Sequence, residues 1–403
     1  MKRPTGVITH PAGFSASGVS CGIKTGRDLP DLGLLVAEEP VPAAAVFTTN
    51  KVCAAPVLVS REHLRTSRGY IRAVVANSGN ANACTGKQGL ADARRMTQLT
   101  AELIGAQPHE VLVASTGVIG RPMPMKAAEA GIRKASEKLS SDYRGGAAFL
   151  RGILTTDRFP KEAERSVHVA GRTFLVSGVV KGAAMIAPGM ATMLSFVTTD
   201  AGLERRRMQG LLSAAVGRTF NRITVDGHMS TNDTCVLLAS GRSGVKVTAE
   251  GRMERKFARA LEEVLLELAL AIVRDGEGAV RTAEIRVRGA RSDADAERAA
   301  RAVAGSPLVK TALFGADPNW GRIVSMAGAS GCAFTEDKTS LRINSLVIYR
   351  NGKPLPVTKD IENAMRSDHV VFDLSLGLGR GASGVYTCDL GHNYVRLNAE
   401  YTT

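Results

Sequence analysis

Residues 181–194 read KGAAMIAPGMATML, and the reading of this stretch decides how the rest of the 403-residue chain is understood. Lys181 is its one charge, and Thr192 lies in an uncharged run broken by Pro188 and Gly189, where neither a regular helix nor a regular strand is at ease. A threonine hydroxyl is a weak nucleophile unless a base sits beside it. One general solution makes the threonine chain-terminal, so that its own α-amine, with a pKa of about 7.7–8.0, removes the proton. An internal threonine reaches that state by cutting its own backbone. Its hydroxyl attacks the preceding carbonyl, here that of Ala191, and water then releases two chains with Thr192 leading the second. Pro188 and Gly189 suit the strained backbone such an attack needs, small Ala191 leaves the carbonyl open, and threonine is stiff about χ1. The plainer alternative for the same residues is a buried strand that opens after a proline turn.

Composition bounds the surroundings of that site. At 403 residues the chain exceeds the size at which one hydrophobic core usually stops growing, so two lobes are expected. With 44% hydrophobic and 22% charged residues it reads as an ordinary soluble globular protein. The start lacks the apolar core of a secretory signal, which points to the cytoplasm. The uncharged run 182–199 is long enough to raise a membrane span, but Pro188, Gly189, Thr192, Ser195, Thr198 and Thr199 make it a costly one. Six cysteines without C-x-x-C spacing, and histidines without i, i+4 pairing to a glutamate, argue against a metal site or a disulfide framework. The net charge of +14 keeps a nucleic-acid partner in view. Aromatic residues at 4%, basic residues that are dispersed, and the absence of a helix-turn-helix or RNA-recognition signature count against it.

Along the chain, 73–78 and 111–115 are apolar, β-branched segments that read as buried strands, with helical periodicity at 90–104 between them. A long helix is expected at 254–274 and another at 292–304, opening on Ser292 as N-cap and ending before Gly305 and Pro307. The last third reads as strands at 284–288, 310–314, 341–349, 370–376, 385–390 and 394–398. Two motif matches are discounted. The G-x-S-x-G at 18–22 lacks the following helix a nucleophile elbow requires, and the G-x-G-x-x-G at 379–384 leads into a strand and reads as a hairpin turn.

Nine separated segments add a resemblance: FTTNK at 47–51, ANSGNANACTG at 76–86, ASTGVIG at 114–120, LTTD at 154–157, the 181–194 block, STNDT at 230–234, DGEGA at 275–279, DPNWGR at 317–322 and LNAEYTT at 397–403. Together and in this order they resemble the ornithine acetyltransferase family of arginine biosynthesis, also called the glutamate N-acetyltransferase/amino-acid acetyltransferase family. The resemblance implies an α/β (α+β) fold, a layered αββα-type sandwich with a second, smaller α/β lobe. It implies cleavage between Ala191 and Thr192 into an alpha chain (1–191) and a beta chain (192–403). On this reading, 192–239 and 351–403 complete the sandwich, and the smaller lobe occupies about 240–350. Two alpha and two beta chains in a heterotetramer, with no nucleic acid and no membrane, are the partners implied.

The resemblance also assigns roles. Thr192 is the nucleophile, Thr116 and Gly117 form the oxyanion hole, and Thr155 (with Thr156 as the alternative), Lys181, Thr192, Glu277, Asn398 and Thr403 hold the substrate. A lysine bordering so apolar a block needs a partner or a substrate. The implied reaction moves acetyl from N2-acetylornithine to glutamate through an acetyl-threonine ester in a ping-pong cycle. No cofactor is required, and acetyl-CoA stays open as a second donor. The alternative is a self-processing aminopeptidase or amidohydrolase of related architecture, in which water resolves the acyl-enzyme. Two departures from the family pattern stand out: Ala184 where glycine is usual, and His228-Met229 where Asp-Thr is usual.

Overall fold

Strand β2 follows β1 (Phe14–Val19), with which it pairs, and runs for sixteen residues, Leu32–Phe47. Its first half pairs antiparallel with β3 (Tyr70–Asn80), Leu32 opposite Asn77, and the register breaks between Val36 and Val41. The second half pairs antiparallel with a later strand, Phe47 opposite Thr234. A break of this kind bends a strand and lets it serve two sheets. The description covers residues 5–24, 29–169, 171–187 and 193–400 of a computed structural model.

The remaining strands of this unit are β4 (Val111–Val118), β5 (Lys161–Val169), β6 (Arg172–Lys181), β7 (Leu194–Thr199) and, beyond the two short strands β8 (Gly202–Leu203) and β9 (Ile223–Thr224), β10 (Thr234–Ala239). Their spatial order is β4-β3-β2-β10-β7-β6-β5. Period-two alternation sorts their side chains into layers. Val74 and Ala76 of β3, Leu112 and Ala114 of β4, Phe196 of β7 and Val236 of β10 share one core. The intervening Ala73, Val75, Val111 and Val113 face helices α2 (Gly86–Ile104) and α3 (Met125–Ser136), which follow α1 (Ala55–Thr66) in the chain. On the other side, Phe174, Val176, Val197 and Leu237 pack against two more helices, Arg205–Arg218 and Arg252–Arg274. The result is helices, sheet, sheet, helices, as the resemblance implies. With α4 at Tyr143–Ile153, those two helices are α5 and α6. Helix α6 presents Phe257, Leu261, Val264, Leu265, Leu268 and Ile272 on one buried face, the spacing of an amphipathic helix.

The smaller lobe is built on a second sheet. After β11 (Lys246–Val247), which pairs with β8, come β12 (Thr282–Ala290), β13 (Ser340–Ile343), β14 (Leu346–Arg350), β15 (Lys353–Pro354), β16 (His369–Ser375) and β17 (Gly381–Cys388), in the spatial order β15-β14-β13-β16-β12-β17-β9. Helices α7 (Asp293–Gly305), α8 (Pro307–Phe314), α9 (Trp320–Gly328) and α10 (Lys359–Met365) pack on it, and α11 (His392–Glu400) ends the described chain.

Several expectations are corrected here. The sandwich is not completed by 351–403, because β16 and β17 flank β12 in the second sheet, which binds them to the lobe. Conversely, α6 belongs to the sandwich core. Residues 310–314 are helical, since Ser306 accepts a hydrogen bond from Val309 N and Pro307 opens the first turn. Residues 394–398 lie in α11. The segment 341–349 is two strands joined at Asn344 and Ser345, both at positive φ as a tight hairpin demands. The glycine-rich 379–384 is no hairpin, because β16 and β17 lie on opposite sides of β12. No helix among the described residues is long and apolar enough to cross a membrane.

Candidate active site

The site residues gather where strand ends of the sandwich meet. Strand β7 is an inner strand, antiparallel to β6 and parallel to β10, and its first residue, Leu194, sits opposite both Lys181 and Thr234. Met193, directly before it, donates its amide to Asp233 Oδ1 at 3.1 Å and accepts from Thr234 N at 3.1 Å. Asn232, next to Asp233, donates to Ser115 O at 2.9 Å and to Ala81 O at 2.6 Å. The start of β10 therefore ties the entry of β7 to the end of β4. Ala191, Thr192 and Thr403 lie outside the described residues, so the nucleophile and the cleavage site are approached only through their neighbours.

Thr116 and Gly117 end β4 beside Ser78 and Gly79 of β3. Gly117 has φ +134°, and a Cβ there would stand 2.3 Å from Gly79 C and 2.5 Å from Asn80 N. Only glycine fits. Lys181 Nζ reaches Thr116 Oγ1 at 3.2 Å, and the lysine is buried with no carboxylate at ion-pair distance among the described residues. Burial pulls its pKa below the usual lysine range and Lys161 adds to that, against the opposing pull of Asp157, Asp233 and Glu277.

Thr155 N donates to Asp157 Oδ2 at 2.9 Å, with its hydroxyl 3.4 Å from the same oxygen, and Gly182 N donates to Asp157 Oδ1 at 2.8 Å. Glu277 follows α6, and its amide donates to Ala183 O at 2.9 Å. Asn398 on α11 donates to Glu277 Oε2 at 3.0 Å. Tyr394 of the same helix has its hydroxyl pKa pushed up to about 12 by burial, then by the charges of Asp226 and Glu277. Thr155, Lys181, Glu277 and Asn398 thus join one chain of contacts running through Asp157, Gly182 and Ala183. Ala184 is half-buried, His228 is exposed, and Met229 sits over Thr49 and Asn50, whose Nδ2 donates to Met229 O at 3.1 Å.

Four carboxylates with no role assigned from the sequence are structurally central. Asp157 and Asp275 sandwich Lys161. Asp226 accepts from Met185 N at 2.6 Å, Ile186 N at 2.9 Å and His228 N at 3.1 Å, clamping the segment that leads to residue 188. Asp233 is fully buried, with Oδ2 lacking a hydrogen-bond partner among the described residues. Burial raises its pKa well above the carboxylate range, although Lys181 and neighbouring donors pull the other way. Asp157, Asp233 and Asp275 fall inside the family-like segments, which was the available signal. Their burial was not visible.

A buried carboxyl with a raised pKa, a buried lysine whose Nζ meets the Thr116 hydroxyl, and the glycine-permitted backbone at Gly117 thus lie together around the entry to β7. The profile of the ArgJ family matches residues 15–403, and the chain belongs to that family, whose members are arginine-biosynthesis acyltransferases. It is 46% identical over 406 residues to the arginine biosynthesis bifunctional protein ArgJ of Symbiobacterium thermophilum, covering 100% of both chains. It is 48% identical over 396 residues to that of Geobacter sulfurreducens, covering 97% of this chain and 99% of the relative. The crystal structure of ArgJ from Bacillus halodurans superposes with a TM-score of 0.50 and 41% identity, over 51% of this chain and 98% of its own.

Proposed function

We propose that the chain cleaves itself between Ala191 and Thr192 and then transfers acetyl from N2-acetylornithine to the α-amine of glutamate. In the first stage Thr192 Oγ attacks the Ala191 carbonyl carbon, a C–O bond forms, the C–N bond breaks and the freed nitrogen takes the proton. Water hydrolyses the ester, leaving an Ala191 carboxylate and a terminal Thr192. In the second stage the Thr192 amine takes the hydroxyl proton as oxygen attacks the acetyl carbon, and ornithine departs with its amine protonated. Glutamate, with its amine neutral, then attacks the ester and carries the acetyl away, returning the proton to Thr192. Thr116 and Gly117 would face the oxyanion in both stages, Lys181 the α-carboxylate, and Glu277 the ammonium of the amino-acid substrate.

The observation that carries this reading is the convergence of Lys181, Thr116 and Asp233 on the entry to β7, one residue beyond Thr192. Coverage supports the cut as well. A solved relative matched over 98% of its own chain spans 51% of this one, the share a break near the middle leaves. The fragments would stay together, because β6 pairs with β7 and β2 with β10 across the cut, and two such units would make the heterotetramer. Acetyl-CoA as a further donor fits the bifunctional naming of the relatives. The test is the denatured mass of wild type and Thr192→Ala, followed by assays of acetyl transfer with each donor. Two fragments and N-acetylglutamate are expected for wild type, and one inactive chain for the variant. An uncut, active wild type, or free acetate in place of N-acetylglutamate, would refute the proposal, the latter in favour of the hydrolase.

A further inference from the structure

Lys161 is a fully buried lysine outside the roles assigned so far. Its Nζ lies 2.6 Å from Asp157 Oδ1 and 2.5 Å from Asp275 Oδ2, and all three side chains are shielded from solvent. Asp275 is held a second time by Arg158, whose amide donates to Oδ2 at 3.0 Å and whose Nε donates to Oδ1 at 2.9 Å. Asp157 receives Gly182 N and Thr155 N as well, so its carboxylate lies next to the residue that follows Lys181. Asp157 is nevertheless not at ion-pair distance from Lys181, whose Nζ turns to Thr116.

Counting charges explains this division. Lys161 and Arg158 occupy the two carboxylates, and the ammonium of Lys181 is left over. A buried carboxylate without its cation is costly, and it would draw the nearest ammonium. We propose that Lys161 is a positioning residue: by occupying Asp157 and Asp275 it keeps the Lys181 ammonium turned toward Thr116 and available to the α-carboxylate of the substrate. The same contacts join the 155–157 loop to the 275–277 loop, which in the sequence precede and follow residue 192. This inference rests on the acetyl-transfer reading and extends it.

Two variants test it in the full-length, mature enzyme. In Lys161→Met, Asp157 loses its partner and captures Lys181, so KM for glutamate rises about tenfold or more while kcat at saturation changes less, the scale of one hydrogen bond to a charged group. In the double variant Asp157→Asn/Lys161→Met the carboxylate next to Gly182 is gone and the remaining one, Asp275, is still held by Arg158, so Lys181 is not captured and KM returns most of the way to wild type. A residue that merely held the fold together would give a double variant as impaired as the single one, or more so, and that result overturns the proposal. So does an unchanged KM in Lys161→Met. If Lys161→Met yields no folded protein, Asp157→Asn alone decides: Lys181 stays free and KM is not raised, whereas a KM raised as far as predicted for Lys161→Met sinks the idea. Wild type assayed in parallel separates the two levels, because a wild type that transfers no acetyl removes the reaction itself.

Discussion

Lys181 Nζ lies 3.2 Å from Thr116 Oγ1, joining the last residue of β6 to the end of β4 although four other strands stand between them in the sheet order. On the proposed acetyl-transfer reading, the contact sets the cation for a substrate carboxylate beside a donor for an oxyanion.

Thr116→Val keeps the shape and removes the hydroxyl. Losing one oxyanion donor typically costs about 10²–10³ in kcat. Both maturation and transfer should slow, read by gel densitometry and steady-state rates, with KM for glutamate little changed. Gly117 is a poorer probe, since any side chain there collides with Gly79 and Asn80 whatever its chemistry. Wild-type rates in Thr116→Val would remove the hydroxyl from the mechanism.

The pH dependence of glutamate binding should report Lys181. Only the ammonium form attracts a carboxylate, so affinity is complete below its pKa and declines as pH rises through it. Because burial lowers that pKa, the decline should begin at a lower pH than for an ordinary lysine. KM measured from neutral to alkaline pH should climb, and in Lys181→Arg, charged throughout, that climb should vanish. A flat profile in wild type would assign carboxylate binding elsewhere.

Asp233 should make the protein less stable as pH rises. Its folded pKa is raised mainly by burial, whereas the unfolded chain releases the proton near about 3.9. The group's contribution is therefore fully present below the unfolded value and is lost progressively up to the folded one, by about 1.4 kcal/mol per pH unit at most. Asp233→Asn can still accept from Met193 N and should flatten this slope in urea titrations at pH 5 and pH 8. An identical slope in both proteins would contradict the buried neutral carboxyl.

Thiol labelling checks packing independently of catalysis. Cys84 is exposed, whereas burial pushes Cys21 and Cys235 up to about 12, with the Asp31 carboxylate adding to the rise at Cys21. At neutral pH an aromatic disulfide reagent should modify Cys84 first and leave Cys21 and Cys235 until the protein unfolds. Cys21 reacting as fast as Cys84 would mean that the turn after β1 is built differently.

Local order determined much of what the chain itself announced. The unbroken apolar, β-branched runs at 73–78 and 111–115 read directly as buried strands because each has one face on each of two cores, and Ser292 caps α7 because a serine hydroxyl has few better uses before Asp295 N. The segments carrying Thr116, Lys181 and Glu277 were recognisable through their resemblance to one family, as parts of nine stretches in a fixed order. Residues 310–314 and 394–398 misled, since β-branched and apolar residues fit either period and only Ser306, Pro307 and the docking of α11 decide. Which charges meet was a matter for tertiary structure alone. Lys161 and Asp275 lie 114 positions apart, and it is burial, invisible in a linear string, that turns them with Asp157 into a network and leaves Lys181 facing Thr116.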